Sequence, residues 1–135
     1  FHFLLQSQTR TALPLFMHQL QLGYVRFFKK KYETTGHVFE ERFRSPRIAE
    51  ESYYLQCGRY IERNPLEAGM VQEAWKYPYS SARYYCEGVL NSLITTNVLY
   101  ASLGANEMKR RLSYKRFLLL RDPYAGMIED QLLKY

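Results

Sequence analysis

The chain is poor in cysteine. Cys57 and Cys86 are its only two, and they form neither a Cys-x-x-Cys pair nor a zinc-ligand spacing. A reduced, cytoplasmic setting is the plain expectation. No apolar run approaches the roughly 20 residues that span a bilayer, and no segment has the layout of a signal peptide. Internal repeats and low-complexity stretches are also missing, which sets aside solenoids and flexible linkers. No strongly amphipathic basic helix with Trp or Leu anchors is visible, which argues against a membrane-surface partner. The chain has no initiator Met and opens at Phe1 inside an apolar run, so it is expected to be a piece of a longer protein. Acidic residues are the scarcer sign: 13 Asp and Glu stand against 19 Lys and Arg, a net charge of +6. That excess favours a polyanionic partner, through counterion release from phosphates.

What is present is a globular composition, 47% hydrophobic and 24% charged over 135 residues. That length favours one domain with a real core. Thirteen Tyr, eight Phe and one Trp make it unusually aromatic. Such rings suit a core with polar edges, and they also suit stacking on exposed bases.

Phe1 to Gln6 alternates apolar and polar residues and reads as a strand, and His37 to Arg44 reads as a second one. Between them, apolar residues recur at helical spacing, so a helix is predicted from about Leu13 to Tyr32, with Lys29, Lys30 and Lys31 near its C-terminal end. A second helix is predicted from Glu50 to Asn64, limited by Pro65. The remainder reads as helical. Thr96 can cap a helix ending near Gly104, Asn106 one that runs to about Arg121, and Asp122-Pro123 opens the last. A soft boundary near Gly88 divides an aromatic-rich segment, 1–88, from a leucine-rich helical tail, 89–135.

Gln56, Tyr60 and Asn64 are spaced four apart and therefore line one helical stripe, flanked by Arg59 and Arg63. A phenol, a carboxamide one turn on and two guanidinium groups can serve phosphoryl transfer as nucleophile, metal ligand and phosphate clamps. Taken alone, a tyrosine at helical spacing is usually core. His2 would lie on the first strand, where a second His two residues away would share its face and grip one divalent ion. That partner position falls outside the chain.

Three blocks give these residues more meaning: Thr35-Gly-His-Val-Phe-Glu-Glu-Arg-Phe-Arg-Ser, Arg59-Tyr-Ile-Glu-Arg-Asn-Pro-Leu-Glu-Ala-Gly-Met-Val and Tyr77-Pro-Tyr-Ser-Ser. In this order and spacing they resemble the REP-associated tyrosine transposases, single-tyrosine enzymes of the HUH type. The opening Phe-His-Phe-Leu-Leu resembles the end of that family's His-hydrophobe-His strand. Val98-Leu-Tyr-Ala-Ser-Leu-Gly and Tyr114-Lys-Arg-Phe resemble the tail of its longer members. The resemblance covers most of the chain. It implies an α+β fold: a small antiparallel sheet, here an incomplete ferredoxin-like core, with packed helices and a helical C-terminal tail. The core would occupy residues 1–88.

The resemblance also implies a function. Tyr60 matches the nucleophile, and His2 and Asn64 match ligands of a divalent Mg or Mn ion. The DNA, single-stranded or hairpin, would be cleaved and rejoined through a 5′-phosphotyrosine link. Arg59 and Arg63 are candidate phosphate contacts. Arg42, Arg44 and Arg47 could line a single-strand groove with Tyr53 or Tyr54 as stacking partners. A cytoplasmic, nucleoid-associated protein is implied, with a homodimer as one of its arrangements. The alternative is a truncated remnant without catalysis that acts as a DNA-binding module. His18 and His37 are read as surface residues, and Lys109, Arg110, Arg111, Lys115 and Arg116 as a solvated basic face.

Overall fold

The computed structural model of the chain describes residues 1–120, 126–128 and 130, with the side chains of residues 51 and 52 left aside. The described residues contain helices and no strand. They form two units: Leu4–Pro46 is one, and Phe1–Phe3 with the described residues from Arg47 onward is the other.

The Leu4–Pro46 unit is built on α1, Ala12–Tyr32. Pro14 is tolerated because it lies in the first turn, where its missing N–H has no intrahelical partner. Glu33 ends the helix in the left-handed conformation (φ 50°), and Lys29, Lys30 and Lys31 occupy its last turn. After Gly36 (φ +94°) the chain bends back, and the Phe39 ring packs 5.9 Å from that of Tyr24.

The second unit holds α2 (Glu51–Glu67), α3 (Ala82–Glu87) and α4 (Glu107–Leu119), with 3-10 turns at Ala74–Lys76 and Val98–Leu103. Helix α2 runs through Pro65 and ends one turn later than the sequence predicts. The proline costs only the bond its own nitrogen would have donated. Ala68 N–H still reaches Asn64 C=O at 2.9 Å. The second 3-10 turn is capped by Asn97, whose side chain accepts from Leu99 N–H at 2.8 Å. Helix α4 is capped by Asn106, as its sequence position predicts: Oδ1 accepts from Lys109 N–H at 2.9 Å. The predicted helix at Asp122-Pro123 lies outside the described residues.

The core of this unit joins Ala74, Trp75, Ala82, Tyr85, Cys86, Tyr100, Tyr114 and Leu118. Residues on both sides of Gly88 therefore share one core. Three tyrosines dominate it. Tyr85 stacks on Tyr114 with centroids 4.8 Å apart, and Tyr100 lies 5.1 Å from Tyr85. Each phenol finds a partner, as burial of a hydroxyl requires. Tyr100 donates to the Tyr85 carbonyl at 3.0 Å, Tyr85 accepts from Asn97 N–H at 3.0 Å, and Tyr114 donates to Glu62 at 2.9 Å.

The expected α+β fold is overturned. No antiparallel sheet forms among the described residues, and Phe1–Gln6 and His37–Arg44 are irregular. Alternation specifies which face a strand would bury, but a strand also needs a neighbour to take its N–H and C=O groups. Helical surfaces supply the contacts instead. Phe39 meets Tyr24 on α1, and His2 meets Tyr60 on α2.

Candidate functional site

Helix α2 places Gln56, Tyr60 and Asn64 on one stripe, each partly buried. Its opposite side carries Cys57, Arg59 and Glu62 into the interior. The N-terminal Phe1–Phe3 belongs to the same unit and completes the stripe. The His2 ring stands edge-on to Tyr60, with centroids 5.8 Å apart and planes at 76°. His2 Nδ1 is 3.4 Å from the Asn64 side-chain nitrogen, although the two residues are 62 positions apart. His2, Tyr60 and Asn64, singled out in the sequence, are thus brought together.

The electrostatics of His2 follow from its surroundings. Desolvation, and then the positive N-terminus, hold its pKa below the ordinary imidazole value. Its ring is therefore neutral at pH 7 and keeps a lone pair for a ligand. Asn64 presents an amide whose oxygen and nitrogen exchange places on a flip, so either can face His2. Gln56, one turn before Tyr60, has an Oε1 removed from solvent with no hydrogen-bond partner among the described residues. The spacing puts Gln56 on this stripe, but only the packing shows that its oxygen is orphaned.

The two arginines beside Tyr60 lie elsewhere. Arg59 is 2% exposed, and its guanidinium sits 5.2 Å from the centre of the Phe117 ring. Arg63 pairs with Glu67, donates to the Leu118 carbonyl and reaches the Leu120 carbonyl at 3.3 Å. Those are C-terminal carbonyls of α4, which lack intrahelical donors. Both arginines serve the packing of α2 against α4. Their side of the helix is visible in the sequence; their burial is not. Arg42 and Arg44 are exposed on the bends that follow α1, Arg44 pairing with Glu41 at 2.6 Å. Arg47 is exposed in the segment before α2. His18 and His37 are exposed.

The basic run on α4 is less solvated than expected. Arg110 donates to the Gly104 carbonyl at 2.9 Å, Arg111 pairs with Glu107 at 3.1 Å, and Lys115 lies 4.9 Å from the centre of the Trp75 ring.

Glu62 was not singled out in the sequence. It is 2% exposed and accepts from Ser81 Oγ at 2.6 Å and from Tyr114 at 2.9 Å. Desolvation pushes its carboxyl up to about 7, against the two hydrogen bonds, which act the other way. It ties α2 to the start of α3 and to α4. Burial likewise pushes the Cys86 thiol up to about 12, which leaves it a neutral core residue and not a nucleophile.

Among the described residues no three His, Cys, Asp or Glu side chains cluster to hold a metal ion, and no helix is long and apolar enough to cross a membrane. Compared with protein-family models, curated proteins and solved structures, the chain gives no match.

Proposed function

We propose that the chain, alone or as a homodimer, cleaves and rejoins single-stranded or hairpin DNA through Tyr60. The observation that carries this reading is the meeting of His2, Tyr60 and Asn64 from distant parts of the chain. The reading concerns this cluster and does not call on a sheet.

In the reaction the Tyr60 oxygen attacks the scissile phosphorus. A bond forms between the two, and the bond from phosphorus to the 3′ oxygen breaks. The phenolic proton ends on the departing 3′ oxygen, and the 5′ phosphate stays on Tyr60. Rejoining reverses each step, so no nucleotide triphosphate is consumed. A divalent ion, when bound, would polarise the phosphate. His2 through Nδ1 and Asn64 through its amide oxygen would hold it, leaving further positions to water and phosphate oxygens. An imidazole and an amide oxygen suit Mn better than Mg, which prefers oxygen ligands alone. With Arg59 and Arg63 engaged inside the fold, phosphate contact falls to exposed cations.

That engagement also favours a second reading, a nucleic-acid-binding module without chemistry. Covalent capture separates the two. The chain is incubated with Mn and labelled single-stranded hairpin DNA, beside a Tyr60→Phe control. A denaturation-resistant adduct that disappears in the control supports the first reading. Retained binding with no adduct across a broad set of hairpins supports the second.

A further inference from the structure

The Leu4–Pro46 unit carries most of the charge excess. Seven Lys and Arg stand against three Glu there, which gives +4 of the chain's +6. Four of those cations, Arg26, Lys29, Lys30 and Lys31, fall in the last two turns of α1. Among the described residues none of the four pairs with a carboxylate. Unpaired cations crowded onto one turn repel each other, so a polyanion there is stabilising.

Aromatic rings occupy the same two turns. Tyr24, Phe27 and Tyr32 are 46%, 56% and 51% exposed. Phe28 links them: its ring lies 5.9 Å from Tyr24 and 4.6 Å from Tyr32. Lys31 sits 5.6 Å from the Phe27 ring centre and 5.1 Å from that of Tyr32. Helical spacing sets Arg26, Lys29 and Lys30 along one side of α1 and the four rings along the adjoining side. Neither half explains the other. Rings alone fit any apolar partner, and cations alone fit any anion. Side by side they match a chain of phosphates that carries flat, stackable faces.

We propose that the C-terminal half of α1 is a binding platform for single-stranded nucleic acid. The phosphates follow Arg26, Lys29 and Lys30, and the bases stack on Tyr24, Phe27 and Tyr32. An anionic membrane is the competing polyanion. An interfacial helix needs its apolar residues on one face, whereas exposed Leu15 and Leu22 lie across α1 from exposed Phe16, Leu20 and Phe27. A duplex keeps its bases stacked on each other and offers no free faces to the rings. The platform uses none of the residues assigned to DNA cleavage and shares with that reading only the class of substrate.

The test is fluorescence anisotropy of the whole chain with labelled oligo-dT over a series of salt concentrations. Two variants are compared with the parent, Lys29→Gln/Lys30→Gln/Lys31→Gln and Phe27→Ala/Tyr32→Ala, each checked by circular dichroism for retained helix. The lysine variant is expected to flatten the log–log salt dependence by about 2, at roughly 0.7 for each phosphate no longer neutralised. The aromatic variant is expected to weaken binding roughly fivefold or more with its salt dependence unchanged. Folded variants that bind like the parent overturn the proposal. So does parental binding to vesicles of phosphatidylserine and phosphatidylcholine without binding to oligo-dT. Tyr60→Phe distinguishes this failure from that of the cleavage reading. It leaves oligo-dT binding intact if the platform is right, whether or not the parent forms an adduct.

Discussion

Replacing Glu62 by glutamine should make the protein more stable above neutral pH and remove part of its pH dependence. The carboxyl is 2% exposed, with a pKa of about 7 in the fold against an ordinary value of 4.5. Between those values the folded chain still holds a proton that the unfolded chain has released. Stability therefore falls as pH rises through this window, and the loss is complete above about 7. The separation of the two values corresponds to about 3 kcal/mol at 1.36 kcal/mol per unit. Glutamine has the shape of the protonated acid and never ionises. At pH 5 the two proteins should lie within about 1 kcal/mol of each other, the scale of one altered hydrogen bond to Ser81 or Tyr114. At pH 8.5 the variant should lead by about 3 kcal/mol, or roughly 10 °C in melting temperature. Urea unfolding followed by the fluorescence of buried Trp75, at intervals from pH 5 to pH 9, measures the difference directly. A difference that does not change with pH would mean that Glu62 ionises as freely in the fold as outside it. The reasoning from desolvation would then be wrong.

Arg63→Ala should lower stability by about 1–3 kcal/mol, because it strips the donors from the α4 carbonyls of Leu118 and Leu120. If the melting temperature held while DNA affinity fell, Arg63 would be a phosphate contact after all. Gly104→Ala should cost about 1–3 kcal/mol, since a Cβ there would stand 2.9 Å from the Arg110 backbone nitrogen and 2.7 Å from Lys109 Cβ. An unchanged melting temperature would show that the start of α4 is free to move away. In the cleavage reading, adduct yield should fall with acid as His2 protonates, at a pH below the ordinary imidazole value. A yield rising in acid, or a His2→Ala variant with the parent's profile, would remove His2 from the site.

Some of this protein was legible along the chain because its causes are local. The apolar period of Leu13 to Tyr32 is the period of a helix, and α1 spans Ala12–Tyr32. Asn106 announces α4 because a short polar side chain can satisfy an end N–H two or three residues away. The stripe of Gln56, Tyr60 and Asn64 follows from 3.6 residues per turn once α2 is accepted. Pro65 misled by one turn, because proline forbids one hydrogen bond and not a helix end as such.

Only the tertiary structure decided the rest. Phe1–Gln6 and His37–Arg44 alternate as strands do, yet a strand is a pairing, and pairing partners are chosen over long distances. The same distance hides the approach of His2 to Asn64, which spacing along the chain cannot reveal. Burial is nonlocal too. Arg59, Glu62 and Arg63 read like the surface of a basic, catalytic helix. Phe117, Tyr114 and the end of α4 close over them and make them part of the packing. A helix dictates which residues share a side, and only the elements packed against it dictate which side meets water.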